Sequence, residues 1–465
     1  MNNKNGGKNV FNREEFSKGF FNKEEFNREI IRVAVPITIQ SFFQSGVSVI
    51  DQIMVGQLGS ISITGAGLGG KFSSIFSVTA SAIAAAAGIL ISQYYGSKNK
   101  KGINDSFIYN LYFALILGLF FTLISVIMPV RLMAIYSTDS AAIYASASYL
   151  RIVAAGFIPM TLTLMISTLL RCLGYAIYPM CASIISVIMN TVLNYFLIFG
   201  KFIFPQMGLE GAAWATVIAR MSEFLLVFIL FLRVKNKDDV YISFHISLNG
   251  KFMKKVLIIL YPILICEFLW SLGENGYAMI YGRIGTDACA AMTLTNPIQS
   301  LLVGAFSGIA AAAGIITGKA LGDDRYDDAY AISVKMMRIG ALGAVGLGIL
   351  LSLSAVYYVK IFPVENFIRK DTIYILYAFS ILLFAKVSNM ILGGGILRSG
   401  GNTKIIMGID ILGTWIFGMP MGFAAAFIFN LPIYIVYFIL SLEECVRLII
   451  SLIVFKKRIW MKNLT

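Results

Sequence analysis

Histidine is nearly absent from this chain. The one present, His245, lies in a polar connection, so neither a histidine-based catalytic site nor a His-rich metal site has the residues to form. Cysteine is scarce: Cys172, Cys181, Cys266, Cys289 and Cys445 show no CxxC spacing, and all fall in or beside apolar runs. They read as small packing residues rather than ligands. No GxxxxGKS or GxxxxGKT loop occurs, which removes the usual cradle for nucleotide phosphates. GAGLGG at 65–70 has no strand ahead of it, and glycines inside an apolar span let helices approach closely. The polar start, MNNKNGGKNVFNREEF, lacks the short apolar core and cleavage site of a secretory signal. The expectation is a protein that is not an enzyme, with no catalytic residue and no cofactor, and whose energy source is an ion gradient.

Charge is the next shortage. Only 13% of the 465 residues are charged while 58% are hydrophobic, and mean hydropathy is +0.79. Apolar runs near the roughly 20 residues that span a bilayer recur along the whole chain. The fold class expected is therefore an all-α polytopic membrane protein. About twelve spans are expected, near 30–54, 61–93, 106–129, 142–169, 180–200, 210–232, 253–281, 288–318, 332–359, 371–396, 405–429 and 433–455. The net charge of +14 points to topology, not nucleic acid, because the cations cluster in alternate connections. Lys98, Lys100 and Lys101 follow the second span. Arg233, Lys235, Lys237, Lys251, Lys254 and Lys255 follow the sixth. Lys319 and Arg325 follow the eighth, and Lys456, Lys457 and Arg458 close the chain. Lys360, Arg369 and Lys370, in the ninth connection, break the pattern. The positive-inside rule puts both termini in the cytoplasm of a multi-pass plasma (inner) membrane protein. The N-terminal tail repeats FNREEF at 11–16 as FNKEEF at 21–26, and reads either as an interfacial helix or as a polar tail.

A longer repeat organises the rest. SAIAAAAGIL at 81–90 is echoed by SGIAAAAGII at 307–316, an offset of 226. The same offset pairs Pro36 with Pro262, Phe42 with Phe268, Gly56 with Gly282, Gly59 with Gly285 and Gly96 with Gly322. An offset of six spans gives two parallel six-helix lobes, related by a pseudo-two-fold axis along the membrane normal. The expected organisation is a tail at 1–29, an N-lobe at 30–232, a basic connection at 233–252, a C-lobe at 253–455 and a second tail at 456–465. Parallel repeats of this kind point to a transporter with substrate held between the lobes and access alternating by rocking.

Polar groups inside the spans are the candidate site. Gln40, Gln44, Ser48 and Asp51 follow at spacings of four, four and three, which makes one polar stripe on a helix. Pro36 removes a backbone hydrogen bond early in that helix and lets it bend. Either Asp51 faces a wet interior, where intramembrane carboxylates are functional, or it sits beside the outer headgroups. Asn190 and Asn194 share a face of the fifth span, with Thr216 in the sixth. In the second half Glu267 and Glu274 lie seven apart on the seventh span, Asp410 lies in the eleventh, and Lys71 and Lys386 add cations. Gln40, Gln44, Glu267, Glu274 and Asp410 are candidates for the substrate cavity or for secondary coupling. The carboxylates and Lys386 each read equally as half of a structural ion pair.

The segments PITIQSFFQSGVSVIDQIMVGQLG at 36–59, LRCLGYAIYP at 170–179, LRSGGNTKII at 397–406, NTVLNYFLIFG at 190–200 and GLEGAAWATVIAR at 208–220 together resemble the multidrug and toxic compound extrusion family over residues 30–455. The resemblance implies cation-coupled antiport of diverse cationic or amphipathic organic compounds, as in antibiotic resistance. It implies Asp51 as the coupling carboxylate, Pro36 as the bend in the first helix, and Asn190 and Asn194 at the fifth-helix positions. The sequence departs from the family pattern in three places. Asn194 stands where a second carboxylate occurs in archaeal members, Trp270 where some members carry a glutamate, and Tyr175-Ala176 where Asp-Thr is usual. Burial favours the neutral form of a carboxylate, which suits a proton as coupling ion. Sodium is the alternative, with Asp51, Asn190, Asn194 and Thr216 as oxygen donors. A flippase for lipid-linked saccharides is the alternative function, kept open by Lys71 and Lys386. Small organic molecules and the bilayer are the expected partners, nucleic acid is not, and the bundle is expected to work as a monomer.

Overall fold

A computed structural model describes residues 23–202, 204–237, 250–360, 362 and 364–465. These residues form helices joined by short turns, with no strand among them. The long helices in chain order are α1 (Lys23–Gly56), α2 (Ser60–Gly96), α3 (Lys100–Ile127), α4 (Ser140–Cys172), α5 (Ile177–Phe199), α6 (Gly208–Lys237), α7 (Gly250–Ile284), α8 (Thr286–Gly322), α9 (Tyr326–Lys360), α10 (Asn366–Leu397), α11 (Thr403–Ile428) and α12, which runs Ile433–Ser441 and then Glu443–Lys456. Among the described residues, ten of these, α2 through α11, are long and apolar enough to cross a membrane by length and composition.

Helix ends differ from the sequence expectation mainly by extension. α1 begins at Lys23 rather than near residue 30. The first tail repeat and His245 lie outside the described residues. A short helix, Pro129–Ala134, lies between α3 and α4, with Pro129 at its first turn, where a missing N–H costs least. α10 and α11 depart from α geometry, with π-helical turns over Met390–Leu397, Ile411–Gly418 and Ala424–Ile428. The first of these carries Gly393, Gly394 and Gly395, and Gly395 lies against the Ala310 carbonyl of α8 too closely to carry a Cβ.

The 226-residue offset is visible in the backbone. Gly59 and Gly285, at φ 94° and 155°, open α2 and α8. Lys98 and Asp324, also 226 apart, hold φ 56° and 57° in the turns that follow. Left-handed backbone is costly for such residues, so its recurrence at matched positions marks one turn design used twice. At the lobe interface Gly96 lies against the backbone of Lys319, and Gly322 lies against the backbone of Gln93. Lys319 is the counterpart of Gln93 and Gly322 that of Gly96, so the two contacts are one contact repeated by a two-fold axis. A Cβ at either glycine would meet backbone.

α1 packs on α5 in its own lobe and on α8 across the boundary, while α2 packs on both α7 and α8. The end of the molecule that carries Lys98 and Lys319, here the basic end, is further strapped by the last residues. Trp460 is 1% exposed and stacks on Phe455 at 5.6 Å. Gln93, fully buried, donates from Nε2 to the carbonyls of Ser399 (2.7 Å) and Lys462 (3.0 Å), and accepts at Oε1 from the Leu464 N–H (2.6 Å). Lys255 of α7 donates to the Tyr94 hydroxyl of α2 (2.7 Å) and to the Leu464 carbonyl. Residues 456–465 are thus a packed strap over both halves.

Candidate functional site

Each lobe encloses a polar interior. In the N-lobe it is built on the α1 stripe. Asp51 is half-buried and accepts from the Asn194 amide of α5 at 2.7 Å. With the Asn190 amide turned so that it donates, its nitrogen lies 3.0 and 3.1 Å from the two Asp51 oxygens. The four-residue spacing on α5 brings both amides to one carboxylate. Asn194 is 2% exposed and Asn190 is also buried. Lower on α1, Gln44 donates to the Ser183 hydroxyl at 3.0 Å, and Gln40, 3% exposed, accepts from Arg171 at 2.8 Å. Pro36 is buried within α1. The side chain of Ser48 lies outside the described residues. Thr216 does not join the Asp51 cluster; its hydroxyl donates to the Ala212 carbonyl one turn back in α6, at 2.9 Å.

Sequence reasoning missed several members of this interior. Glu223 of α6 lies beside Ser183, and its charge is within electrostatic range of Arg220 and Arg171. Tyr149 of α4 lies within electrostatic range of both Arg220 and Asp51. Arg171 Nε and Arg220 Nη1 are buried without a hydrogen-bond partner. The signal was present: Arg220 and Glu223 are charged residues three apart in the middle of α6, away from the charges at its ends, which places them on one face.

The C-lobe interior is an ion-pair network. Glu267 pairs with Arg398 at 3.0 Å. Asp410 pairs with Arg447, which also reaches Glu444 at 3.7 Å and Glu443 at 3.9 Å. Lys386 pairs with Glu444 at 3.4 Å, and the Asn389 amide donates to the same carboxylate at 2.9 Å. Tyr277 donates to Glu443, and Tyr437 donates to Gln299 at 3.2 Å. Glu267 and Glu274, seven apart on α7, do not converge: Glu267 is taken by Arg398, whereas Glu274 is exposed, with its charge within range of Lys386 and Tyr277. Lys71 is exposed, and Lys386 is neutralised by Glu444. The sequence reading did not single out Glu443, Glu444 and Arg447, which form the centre of the network.

The family model for MatE matches this chain twice, at residues 36–196 and 262–424. The chain belongs to the MatE family. The two matches begin 226 residues apart, the offset of the internal repeat. Among curated relatives it is 25% identical over 441 residues to a Thermotoga maritima protein named a probable multidrug resistance protein, NorM, covering 94% of this chain and 93% of that one. It is 27% identical over 351 residues to the Bacillus subtilis protein YoeA, which carries a similar name, covering 73% and 74% of the two chains. A crystal structure of MATE in complex with MaL6 superposes at a TM-score of 0.86, with 20% identity, 93% of this chain and 96% of that one covered. The chain is thus a multi-pass membrane protein with the two-lobe MATE fold, and both of these relatives are named as probable multidrug resistance proteins.

Proposed function

We propose that this protein is a proton-coupled antiporter that exports cationic or amphipathic organic compounds, with Asp51 as the coupling carboxylate. The carrying observation is the Asp51 cluster: a half-buried carboxylate held by amide donors from α5, on the helix that also packs across the lobe boundary. Ionised, Asp51 accepts from Asn194 and Asn190 and ties α1 to α5. Protonated, it loses much of that charge-assisted pull. Each change of about 1.4 kcal/mol between two packings of α1 shifts their ratio tenfold. Pro36, fifteen residues before Asp51, is where α1 can absorb the change in direction. Outside protons displace substrate, and loss of the proton inside restores binding.

One observation supports a proton over sodium. Sodium wants oxygen ligands, and Thr216, the expected hydroxyl donor, turns to the Ala212 carbonyl of its own helix rather than to Asp51. The basic end, where α2, α8 and the strap meet, is the cytoplasmic end by the positive-inside rule. The protein then lies in the plasma membrane with both termini inside. Residues 30–232 and 253–455 are the two rocking bodies, working as a monomer. The flippase reading needs unpaired cations in the central cavity, and the Lys386–Glu444 pair weighs against it.

The test is ethidium efflux from inverted vesicles, driven separately by a proton and a sodium gradient. Wild type should respond to the proton gradient, and Asp51→Asn should lose that response. Efflux that persists in Asp51→Asn would move coupling elsewhere, and no dye efflux by wild type would favour the flippase.

A further inference from the structure

The segments that begin Leu170-Arg171 and Leu397-Arg398 make the same contact, each in its own lobe. Arg171 donates from Nη2 to Gln40 of α1 at 2.8 Å, and Arg398 donates from Nη1 to Glu267 of α7 at 3.0 Å. In both pairs the partners are 131 residues apart in the chain. Arg171 stands in the last turn of α4, and Arg398 directly follows the π-helical turn that ends α10. A cation suits that end of a helix. Three residues after each arginine, Gly174 and Gly401 turn the chain at φ 89° and 72°, backbone that favours glycine. The glycine ends the helix, and the arginine reaches back to the leading helix of its lobe.

The acceptors differ. Gln40 is a neutral amide, 3% exposed, whereas Glu267 is a carboxylate. An arginine–carboxylate pair adds a Coulomb attraction that an arginine–amide bond lacks. The N-lobe contact also straddles the proline. Arg32, Pro36 and Gln40 follow at four-residue steps along one face of α1. The Arg32 guanidinium lies 5.8 Å from the centroid of the Tyr175 ring, in the turn that follows Arg171. The two sides of Pro36 are thus fastened to one turn at the end of α4. A change in the direction of α1 at Pro36 has to loosen one of these two ties.

We propose that Arg171 is a positioning residue for transport: with Gln40 it forms a clasp that sets the angle of α1 at Pro36 and opens once in each cycle, whereas the Arg398–Glu267 pair stays closed. This inference rests on the coupled-antiport reading above, in which α1 carries Asp51. Gln40 lies eleven residues before Asp51, about 16 Å along the helix axis, so a small change of angle at the clasp displaces the carboxylate end. The neutral acceptor makes the contact releasable, and neither partner changes protonation when it opens.

The experiment gives the N-lobe the acceptor of its twin. In inverted vesicles under a proton gradient, Gln40→Glu should lower kcat for ethidium efflux about tenfold, because the tighter pair must still open. In detergent its thermal midpoint should stay at or above that of wild type. A merely structural contact would move both quantities the same way. Adding Arg171→Lys to Gln40→Glu exchanges a planar fork for a point donor and should recover part of the rate. Wild-type kcat in Gln40→Glu, with proton-driven efflux lost in Asp51→Asn, would overturn the clasp and leave the coupling reading intact. A lowered midpoint together with a lowered kcat would also overturn it, since Arg171 would not have taken up the new carboxylate. No proton-driven efflux by wild type would overturn the coupling reading, and the clasp's part in transport with it. Should Gln40→Glu not accumulate in the membrane, spin labels at exposed Ile39 of α1 and Ile177 of α5, with the native cysteines replaced, read the clasp directly. Saturating ethidium should shift the distance between them, and an unmoved distance would overturn the proposal.

Discussion

The two lobes share one fold and one set of turns, yet their polar interiors are built on opposite plans. In the N-lobe Asp51 is held by neutral amides, and Arg171 and Arg220 keep N–H groups in reserve. In the C-lobe three cations, Arg398, Arg447 and Lys386, are each tied to carboxylates. A carboxylate held by amides can lose its charge while the helices around it stay satisfied. One locked between cations cannot be neutralised without stranding a buried charge. On the proposed reading, duplication left one lobe free to change protonation and the other with a fixed framework.

The largest test of that contrast is a pair of neutralisations. Asp51→Asn should abolish proton-driven ethidium efflux while the protein still inserts and purifies, because an amide can sit among Asn190, Asn194 and water. Glu267→Gln should keep coupled efflux, since its carboxylate serves Arg398. Vesicle efflux under a proton gradient reads both. Equal loss in the two variants would erase the distinction between the lobes.

Next in size is removal of the C-lobe hub. Arg447→Met strips cations from Asp410, Glu443 and Glu444 together. Breaking a buried pair by taking one partner costs about 3–5 kcal/mol, so thermal unfolding in detergent should fall well below wild type. Asp51→Asn measured the same way should scarcely move. A small shift for Arg447→Met would mean that its carboxylates are already neutral or solvated.

The two-fold contact at the basic end should behave alike in both lobes. Gly96→Ala would meet Lys319 backbone and Gly322→Ala would meet Gln93 backbone. Overpacking of this kind costs about 1–3 kcal/mol, here set against the closed arrangement of the lobes. Spin labels placed across the basic end should report similar widening in each variant. Unequal widening would show that the strap from Trp460 to Leu464, which engages Gln93 directly, has broken the symmetry.

How far the sequence revealed this molecule follows from the kind of signal each feature leaves. Twelve helices were legible because apolar runs and glycine turns are local, and the lobes because the offset of 226 is written in aligned residues such as Gly96 and Gly322. Asp51, Asn190 and Asn194 were legible because helical spacing puts them on defined faces. The π-helical turns of α10 and α11 were not, since they depend on how Gly395 meets α8. Glu223 and Glu444 were passed over for a related reason. A buried charge declares its role through partners on other helices, and Lys386 and Asn389 are brought to Glu444 only by packing.

Lys71 and Lys386 both stood out in the sequence as cations within spans, and they make the smallest test. Lys386 is tied to Glu444 at 3.4 Å, while Lys71 is exposed on α2. Glu444 keeps Arg447 and Asn389 if Lys386 is lost, so Lys386→Gln should cost only about 1–3 kcal/mol, the range for an unsatisfied buried partner. Lys71→Gln removes an exposed charge and should stay within about 0.5 kcal/mol of wild type. Parallel melting curves in detergent decide it. If Lys71→Gln were the more damaging of the two, Lys71 would be holding a partner inside the N-lobe, and that interior would be closer to the locked plan of its twin.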